Sequence, residues 1–287
     1  MHNLKEALAE SYCTAIRDRF ENVTSAGTDA RSVDKQEIEL YRQLEQYQKD
    51  KEKVMEEWAN TPVESLGSLT PSEIINAMEE FDEVFDLFLY MAEHTDEEIP
   101  FIVTEKLKSF SGRAVSTLAD LAGTRFDDPN TDMVFIAAVS ALGRLGVAES
   151  VRPLIDLAYK MNEKGYELDH IEEALKNAGS CTIEPILGIL EEKEMGSVEK
   201  MLLYVLASVG SNFRDDRIYT RLRTAFRTME DKMPAVICLK AYGDGRAVPM
   251  LRGYLERNGD LDRALYYEIV GTIRSLGGRT EDFLRAF

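Results

Sequence analysis

The sequence predicts an all-α fold, a right-handed α-solenoid of about six stacked helical hairpins with an N-terminal helical cap. Two observations predict it. Apolar residues follow helical spacing along most of the 287-residue chain, and glycines interrupt them at intervals of 31 to 34 residues. A single hairpin cannot bury its apolar faces alone, so a period this regular is typical of stacked helical arrays.

Residues 1–60 form the first predicted region, with helices over 4–22 and 34–58 around the polar link SAGTDARS. The second helix carries an apolar stripe of Ile38, Tyr41, Leu44, Tyr47, Val54 and Trp58. The stripe lasts too few turns to favour a coiled-coil arm. We therefore expect this region to cap the first repeat, with a separate arm as the alternative.

A joint is predicted over residues 61–80, where Thr70-Pro71-Ser72-Glu73 indicates a helix start. Threonine is a preferred N-cap, proline fits the first helical position, and glutamate three residues after the cap completes a capping box.

The repeat array is predicted over residues 81–287. Its turns are marked by Gly112, Gly146, Gly179, Gly210, Gly243 and Gly277. We expect each glycine to end the first helix of a hairpin in a left-handed conformation. Gly143 and Gly146 both interrupt the apolar run 140–158, and Pro153, Pro185 and Pro249 are expected near the start of second helices. The unit at Gly210 departs most, with a longer turn, SNFRDDRIY, and no following proline.

The stretch TDMVFIAAVSALGRLGVAESVRPLIDLA and its weaker copies resemble HEAT-like helical repeats, in particular the short bacterial type also seen in phycobilisome lyases. The resemblance covers roughly residues 81–287. It implies the architecture and leaves the function open, because such arrays serve many functions.

The net charge of −18 is unevenly distributed along the chain. Residues 61–130 hold 15 acidic and 4 basic side chains, whereas residues 214–287 hold 11 acidic and 14 basic ones, twelve of them arginine. No apolar run is long enough to cross a bilayer, and the N-terminus lacks the pattern of a signal peptide. With three widely spaced cysteines, these features predict a cytoplasmic protein without membrane contact.

No catalytic, cofactor or metal site is predicted. The three histidines, His2, His94 and His170, form no ligand pair. Asp128, Asn130 and Asp132 begin like a calcium loop, but the required glycine and glutamate are missing, so Asp132 is interpreted as a helix N-cap. Phosphate-binding glycine loops and nucleophile motifs are absent. A bilin-lyase-like enzyme is implied only by the repeat subtype.

The leading hypothesis is a non-catalytic protein-binding scaffold or adaptor that uses the concave face of the array for a partner with a basic surface. Second helices carry charged and aromatic residues of the kind that anchor interfaces. The candidate partner-binding residues are Arg152, Asp156, Tyr159, Arg217, Arg221, Arg252 and Tyr254.

Two alternatives concern the charged segments. Arg217 and Arg221 share one face of the segment 214–229, and Arg223 and Arg227 share another, so at least one row is expected to face solvent. These arginine-rich C-terminal repeats suggest nucleic-acid or phosphate binding, although the net charge opposes it. Head-to-tail self-association of the acidic and basic ends is a further prediction.

The segment 78–98 is interpreted as an amphipathic helix, with an acidic groove wall as the functional alternative.

Overall fold

The computed structural model describes residues 2–20, 33–126 and 128–283, with side chains from residue 4 in the first range and, in the second, at 42, 43 and from 46 onward. The described residues form helices and turns and contain no β-strand, which confirms the all-α class. They fall into two compact units, residues 1–141 and 142–287. The predicted region limits at 60/61 and 80/81 differ from this division and stay predictions.

The N-terminal unit contains two long helices followed by shorter ones, and the division between the units falls inside α7. Its helices are α1 (His2–Phe20), α2 (Val33–Asn60), α3 (Pro71–Ala77), α4 (Phe81–His94), α5 (Phe101–Lys108), α6 (Ser111–Thr124) and α7 (Met133–Leu145), with a 3₁₀ turn at Glu64–Leu66.

The first two helices pack against later helices of their own unit. Helix α1 contacts α2 and α4, and α2 contacts α3 and α5. The buried Tyr12 donates a hydrogen bond from Oη to the carbonyl of Glu98 (2.8 Å), and Trp58 Nε1 donates to Ser11 Oγ (3.0 Å). Residues 21–32, which lie between the two helices, and the side chains of Ile38, Tyr41 and Leu44 are outside the described part of the chain.

Two predicted helix starts are confirmed. Thr70 Oγ1 accepts the amide of Glu73 (3.1 Å), and the Glu73 carboxylate accepts the amide of Thr70 (2.8 Å), which completes the capping box of α3. Asp132 Oδ1 accepts the amides of Val134 (2.9 Å) and Phe135 (3.1 Å) at the start of α7. The Asp132 carboxylate thus has the capping role that the sequence predicts.

The C-terminal unit is a series of helices of 10 to 16 residues. They are α8 (Ala148–Glu163), α9 (Asp169–Ala178), α10 (Ile183–Glu192), α11 (Ser197–Asn212), α12 (Asp216–Thr228), α13 (Met233–Tyr242), α14 (Val248–Arg257) and α15 (Arg263–Ser275), with 3₁₀ turns at Gly179–Thr182, Gly245–Ala247 and Glu281–Phe283.

These helices alternate between two roles. The first helices α9, α11, α13 and α15 contact one another in chain order. Each second helix, α8, α10, α12 and α14, contacts the first helix that follows it. Helix α11 lies in the middle of the series, and ten of its sixteen residues are buried. The packing is therefore sequential within this unit, while the right-handed solenoid stays a prediction.

The turn prediction is confirmed at four of the six marker glycines. Gly146, Gly179, Gly243 and Gly277 have φ angles of 59°, 72°, 72° and 81°. Residues with a Cβ rarely adopt this left-handed region, so glycine is needed where these hairpins turn.

The other two markers are corrected. Gly210 lies inside α11, where a Cβ would approach Ile218 Cδ1 to 2.8 Å and Tyr242 Cε2 to 2.9 Å. It therefore allows close helix packing, and the chain turns only after Asn212. Gly112 is the second residue of α6 and has no positive φ.

Two details of the 140–158 segment are also corrected. Gly143 does not interrupt the helix but lies within α7, and Pro153 is the sixth residue of α8 rather than near its start. A Cβ at Gly143 would lie 2.3 Å from the backbone oxygen of Ala174 in α9. Gly143 is thus required by a close approach between two helix backbones, because helix backbones yield little to an added methyl group.

We predict that Gly143→Ala lowers the free energy of unfolding by about 1–3 kcal/mol, because the added methyl group overpacks this contact. Urea denaturation followed by circular dichroism measures the change. Gly188→Ala is the matched control, since Gly188 lies in exposed α10 surface with open space around its Cβ position. The free energy of unfolding of the control should stay unchanged or rise by up to about 1 kcal/mol, because alanine has a higher helix propensity than glycine. Equal stability of both variants would contradict the close approach.

Candidate partner-binding surface

All seven candidate residues lie on the second helices α8, α12 and α14 of the C-terminal unit. These helices are amphipathic: Leu154, Leu222 and Leu251 are fully buried, whereas the intervening charged side chains face solvent. The apolar stripe orients each helix, so the position of a charged residue along the helix decides which groups it meets.

On α8, the candidate residues interact within the protein. Arg152 Nε lies 2.9 Å from Asp156 Oδ1, an exposed pair one turn apart on the helix. Tyr159 Oη donates a hydrogen bond to Oε1 of the buried Glu199 (2.7 Å), and Lys193 Nζ lies 3.6 Å from the centre of the Tyr159 ring. Burial and the Glu199 carboxylate raise the pKa of the Tyr159 phenol.

The hydroxyl of Tyr159 is therefore engaged in a structural hydrogen bond. The other carboxylate oxygen of Glu199 accepts the backbone amide of Gly196 (3.0 Å), so this buried side chain caps α11 and binds Tyr159 at the same time. Two donors compensate a buried carboxylate that would otherwise be costly to desolvate.

On α12, Arg217 is held by two carboxylates. Its Nη2 donates to Asp215 Oδ2 (2.7 Å), and its Nη1 donates to Glu184 Oε2 of α10 (3.1 Å). Asp215 also caps α12 by accepting the amide of Arg217 (2.8 Å). Hydrogen bonds from Arg217 lower the pKa of both Asp215 and Glu184, and the same bonds raise the pKa of Arg217.

The same arrangement recurs at the next hairpin. Arg246 Nη2 lies 2.7 Å from Asp244 Oδ2 and 2.7 Å from Asp216 Oδ1 at the start of α12, while Asp244 accepts the amide of Arg246 (2.8 Å). Hydrogen bonds from Arg246 lower the pKa of Asp244. The guanidinium lies 4.4 Å from the centre of the Tyr219 ring. We call the six carboxylate and arginine side chains that link α10, α12 and the Gly245–Ala247 turn the Asp–Arg ladder. They are Glu184, Asp215, Asp216, Arg217, Asp244 and Arg246.

On α14, Arg252 is also paired within the protein. Its Nη2 lies 3.0 Å from Asp282 Oδ2, and its guanidinium lies 4.8 Å from the centre of the Phe283 ring. Arg252 also donates to the carbonyl of Arg279. Tyr254 is half-buried, and its ring makes an edge contact with Phe226 of α12 at a centroid distance of 5.1 Å.

Arg221 differs from the other candidate arginines. It is half-buried, forms no ion pair with the described residues, and its buried Nε has no hydrogen-bond partner there. Burial lowers the pKa of Arg221, and the charge of the Glu191 carboxylate opposes this shift only in part. Arg223 and Arg227, on the opposite flank of α12, likewise form no ion pair with described residues. Neither is among the seven candidate residues.

The structure thus separates residues that the sequence groups together. Arg152, Arg217 and Arg252 are paired within the protein, whereas Arg221 forms no ion pair with the described residues. The Asp–Arg ladder was missed, although the spacing Asp215-x-Arg217 and Asp244-x-Arg246 is visible in the sequence. The Glu184 partner of Arg217 was not predictable from this spacing, since it comes from another helix.

The comparisons with known proteins identify no relative. No protein-family model, no curated protein and no solved structure matches the chain. Among the described residues, no group of three or more histidine, cysteine or acidic side chains could hold a metal ion. Within the same residues, no helix combines the length and apolarity needed to span a membrane.

We predict that the double variant R217Q/R246Q lowers the melting temperature at pH 7, because it removes the hydrogen bonds of the Asp–Arg ladder. The pKa values of Asp215 and Asp244 are lowered in the folded state, so their stabilising contribution is present at neutral pH and is lost as the pH falls below about 4. The difference from the unmodified protein should therefore shrink between pH 7 and pH 2.5 in thermal unfolding. A difference that stays constant over this range would contradict the ladder.

We also predict that Tyr159→Phe lowers the free energy of unfolding by about 1–2 kcal/mol, because the buried Glu199 loses one of its two donors. Tyr204→Phe is the matched control, since the Tyr204 hydroxyl forms no hydrogen bond with described residues. Urea denaturation compares the two. A loss of stability that is equal in both variants would show that the Tyr159–Glu199 bond contributes nothing specific.

Proposed function

We propose that the protein is a non-catalytic protein-binding scaffold built from HEAT-like repeats, which acts in the cytoplasm on a partner with a basic surface. The sequential packing of first and second helices in the C-terminal unit supports the repeat architecture. In such arrays the second helices line an extended surface suited to binding another protein. The acidic N-terminal unit supplies the charge that would attract a basic partner.

The observation that carries this proposal is a set of unpaired carboxylates around the start of α4. Glu79, Glu80 and Glu83 are exposed or half-buried and form no ion pair with described residues. The nearby cations are already used, because Arg113 lies 2.7 Å from Asp82 and Lys5 lies 3.1 Å from Asp86. We call Glu79, Glu80 and Glu83 the acidic cluster.

Unpaired like charges repel one another, and a basic partner would relieve that repulsion. Helix α4 itself is amphipathic, as predicted for this segment: Phe81, Leu87 and Phe88 are buried while Asp82 and Asp86 face solvent. The buried aromatic face anchors the helix, so the acidic cluster is presented on a fixed support. Binding that depends on such charges should weaken as salt rises.

A second candidate function is nucleic-acid or phosphate binding by the arginine-rich C-terminal repeats. It is favoured by Arg221, Arg223 and Arg227, which lack carboxylate partners among the described residues. It is opposed by the net charge of −18 and by the pairing of Arg217, Arg246 and Arg252. Head-to-tail self-association stays a prediction, to be checked by sedimentation at low and high salt.

The test uses the full-length protein, immobilised and incubated with nuclease-treated lysate of its own host. We expect a protein partner that is retained at low salt and released at moderate salt. The triple variant E79Q/E80Q/E83Q should lose most of this partner, because it neutralises the acidic cluster without changing side-chain size.

The matched control is E10Q/E52Q/E56Q, which removes the same charge from exposed positions on α1 and α2. It should retain the partner. Equal loss in both variants would indicate a response to net charge alone and would contradict a localised site. Retention of nucleic acid alone, when the nuclease step is omitted, would favour the second candidate function.

A further inference from the structure

The solvent face of α12 has an unusual distribution of charge. Thr220, Thr224 and Thr228 form its exposed centre, and each of the last two hydroxyls donates to the backbone carbonyl one turn earlier (2.9 and 3.0 Å). Arg221 lies on one side of this threonine row, while Arg223 and Arg227 lie on the other. The face therefore presents guanidinium groups on both flanks of a short polar strip.

The three flanking arginines differ from Arg217 in their pairing. Within the part of the chain that the structure describes, Arg221, Arg223 and Arg227 form no ion pair, whereas Arg217 on the same helix binds two carboxylates. Helix α12 contains one acidic residue, Asp216, and Arg246 already engages it. Beyond the first turn of α12, the described carboxylates form no ion pair with these arginines, although the charge of Glu191 acts on Arg221.

Arg221 adds a specific geometric feature. Its Nε is buried without a hydrogen-bond partner among the described residues, which leaves a donor that neither solvent nor protein satisfies. Because the buried Nε is out of reach of a ligand, a partner carboxylate would accept from the two Nη groups. The fork of the guanidinium fits a carboxylate in this way, whereas an ammonium group does not.

An aromatic contact links α12 to the next second helix. Tyr254 of α14 is half-buried and meets the buried Phe226 of α12 at 5.1 Å. Helical spacing puts Phe226 on the same flank of α12 as Arg223 and Arg227. Tyrosine and arginine together are a common composition at protein interfaces. A ligand for this face would therefore combine carboxylates with at least one apolar side chain.

We propose that this face of α12, with Arg221, Arg223, Arg227 and the adjacent Tyr254, is a docking site for a short acidic peptide segment of a protein partner. The site goes beyond the proposed function, because it is opposite in charge to the acidic cluster and lies in the other unit. Its occupant is recognised by two or three carboxylates that pair with the arginines and by an apolar side chain that packs on Tyr254.

Charge complementarity favours a short peptide over a nucleic acid. From Arg221 to Arg227 the helix rises by about 9 Å, which matches a few residues of peptide and only one or two phosphates of a strand. The neighbouring second helix α10 exposes Glu191 and Glu192, which would repel a phosphate backbone that continued across it. A peptide can end, or turn away, before it reaches α10.

The test measures fluorescence anisotropy of a fluorescein-labelled twelve-residue peptide, (Glu-Glu-Leu)₄, with the full-length protein at low salt. We expect saturable binding, and at least a tenfold weaker affinity for R223Q/R227Q. The matched control R263Q/R279Q removes two exposed arginines of the same unit and should change affinity less than twofold. R221K retains the charge without the fork and should weaken binding about threefold.

Several outcomes would overturn the proposal. These are the absence of saturable binding below about 1 mM, equal weakening in the two double variants, and tighter binding of a labelled twelve-nucleotide single strand than of the acidic peptide. The last outcome would identify this face of α12 as a nucleic-acid-binding site instead. Because E79Q/E80Q/E83Q leaves α12 intact, peptide binding by that variant separates failure of this site from failure of the acidic cluster.

Discussion

The burial of α11 is the interaction on which the C-terminal unit depends. This helix is apolar on nearly all sides, with Leu202, Leu203, Val205 and Leu206 fully buried, and a helix of this kind is stable only when neighbours cover every face. Helices α9, α10, α12 and α13 provide that cover. Gly210 lets the Ile218 and Tyr242 side chains approach closely, so the absence of a side chain at one position sets the spacing of three helices.

Once the helices are placed, position along α12 separates its paired arginine from its unpaired ones. Near a helix start, an aspartate that caps the backbone lies two residues before the arginine and can bind both its amide and its guanidinium, as Asp215 and Asp244 do. A carboxylate of the preceding hairpin completes the pair. Beyond the first turn no capping residue is present, so Arg221, Arg223 and Arg227 extend from the helix without such partners. The same residue type is therefore ion-paired at one end of α12 and has no ion pair with the described residues along the rest.

Local sequence signals predicted the elements whose causes are local. The capping box at Thr70 and Glu73, the cap at Asp132 and the left-handed turns at Gly146, Gly179, Gly243 and Gly277 depend on residues within a few positions of each other. Gly143 and Gly210 were misinterpreted as breaks because a glycine that permits close helix packing looks the same in sequence as one that ends a helix. The difference lies in Ala174 and Tyr242, which are more than 30 residues away.

The candidate site was only partly predictable for a related reason. Residue type and helical spacing placed Arg217 and Arg221 on one face. They could not show that Glu184 forms an ion pair with Arg217 and none with Arg221. Segment charge is similarly incomplete: residues 214–287 hold only three more basic than acidic side chains, yet α12 alone concentrates three arginines without carboxylate partners among the described residues. A charged ligand responds to the side chains that have no ion-pair partner in the folded protein. The net charge of a segment counts these together with the charges that are already paired, so it does not reveal them. The net charge of the whole chain therefore does not decide which ligand a given surface attracts, because a charge acts over only about 8 Å at physiological salt.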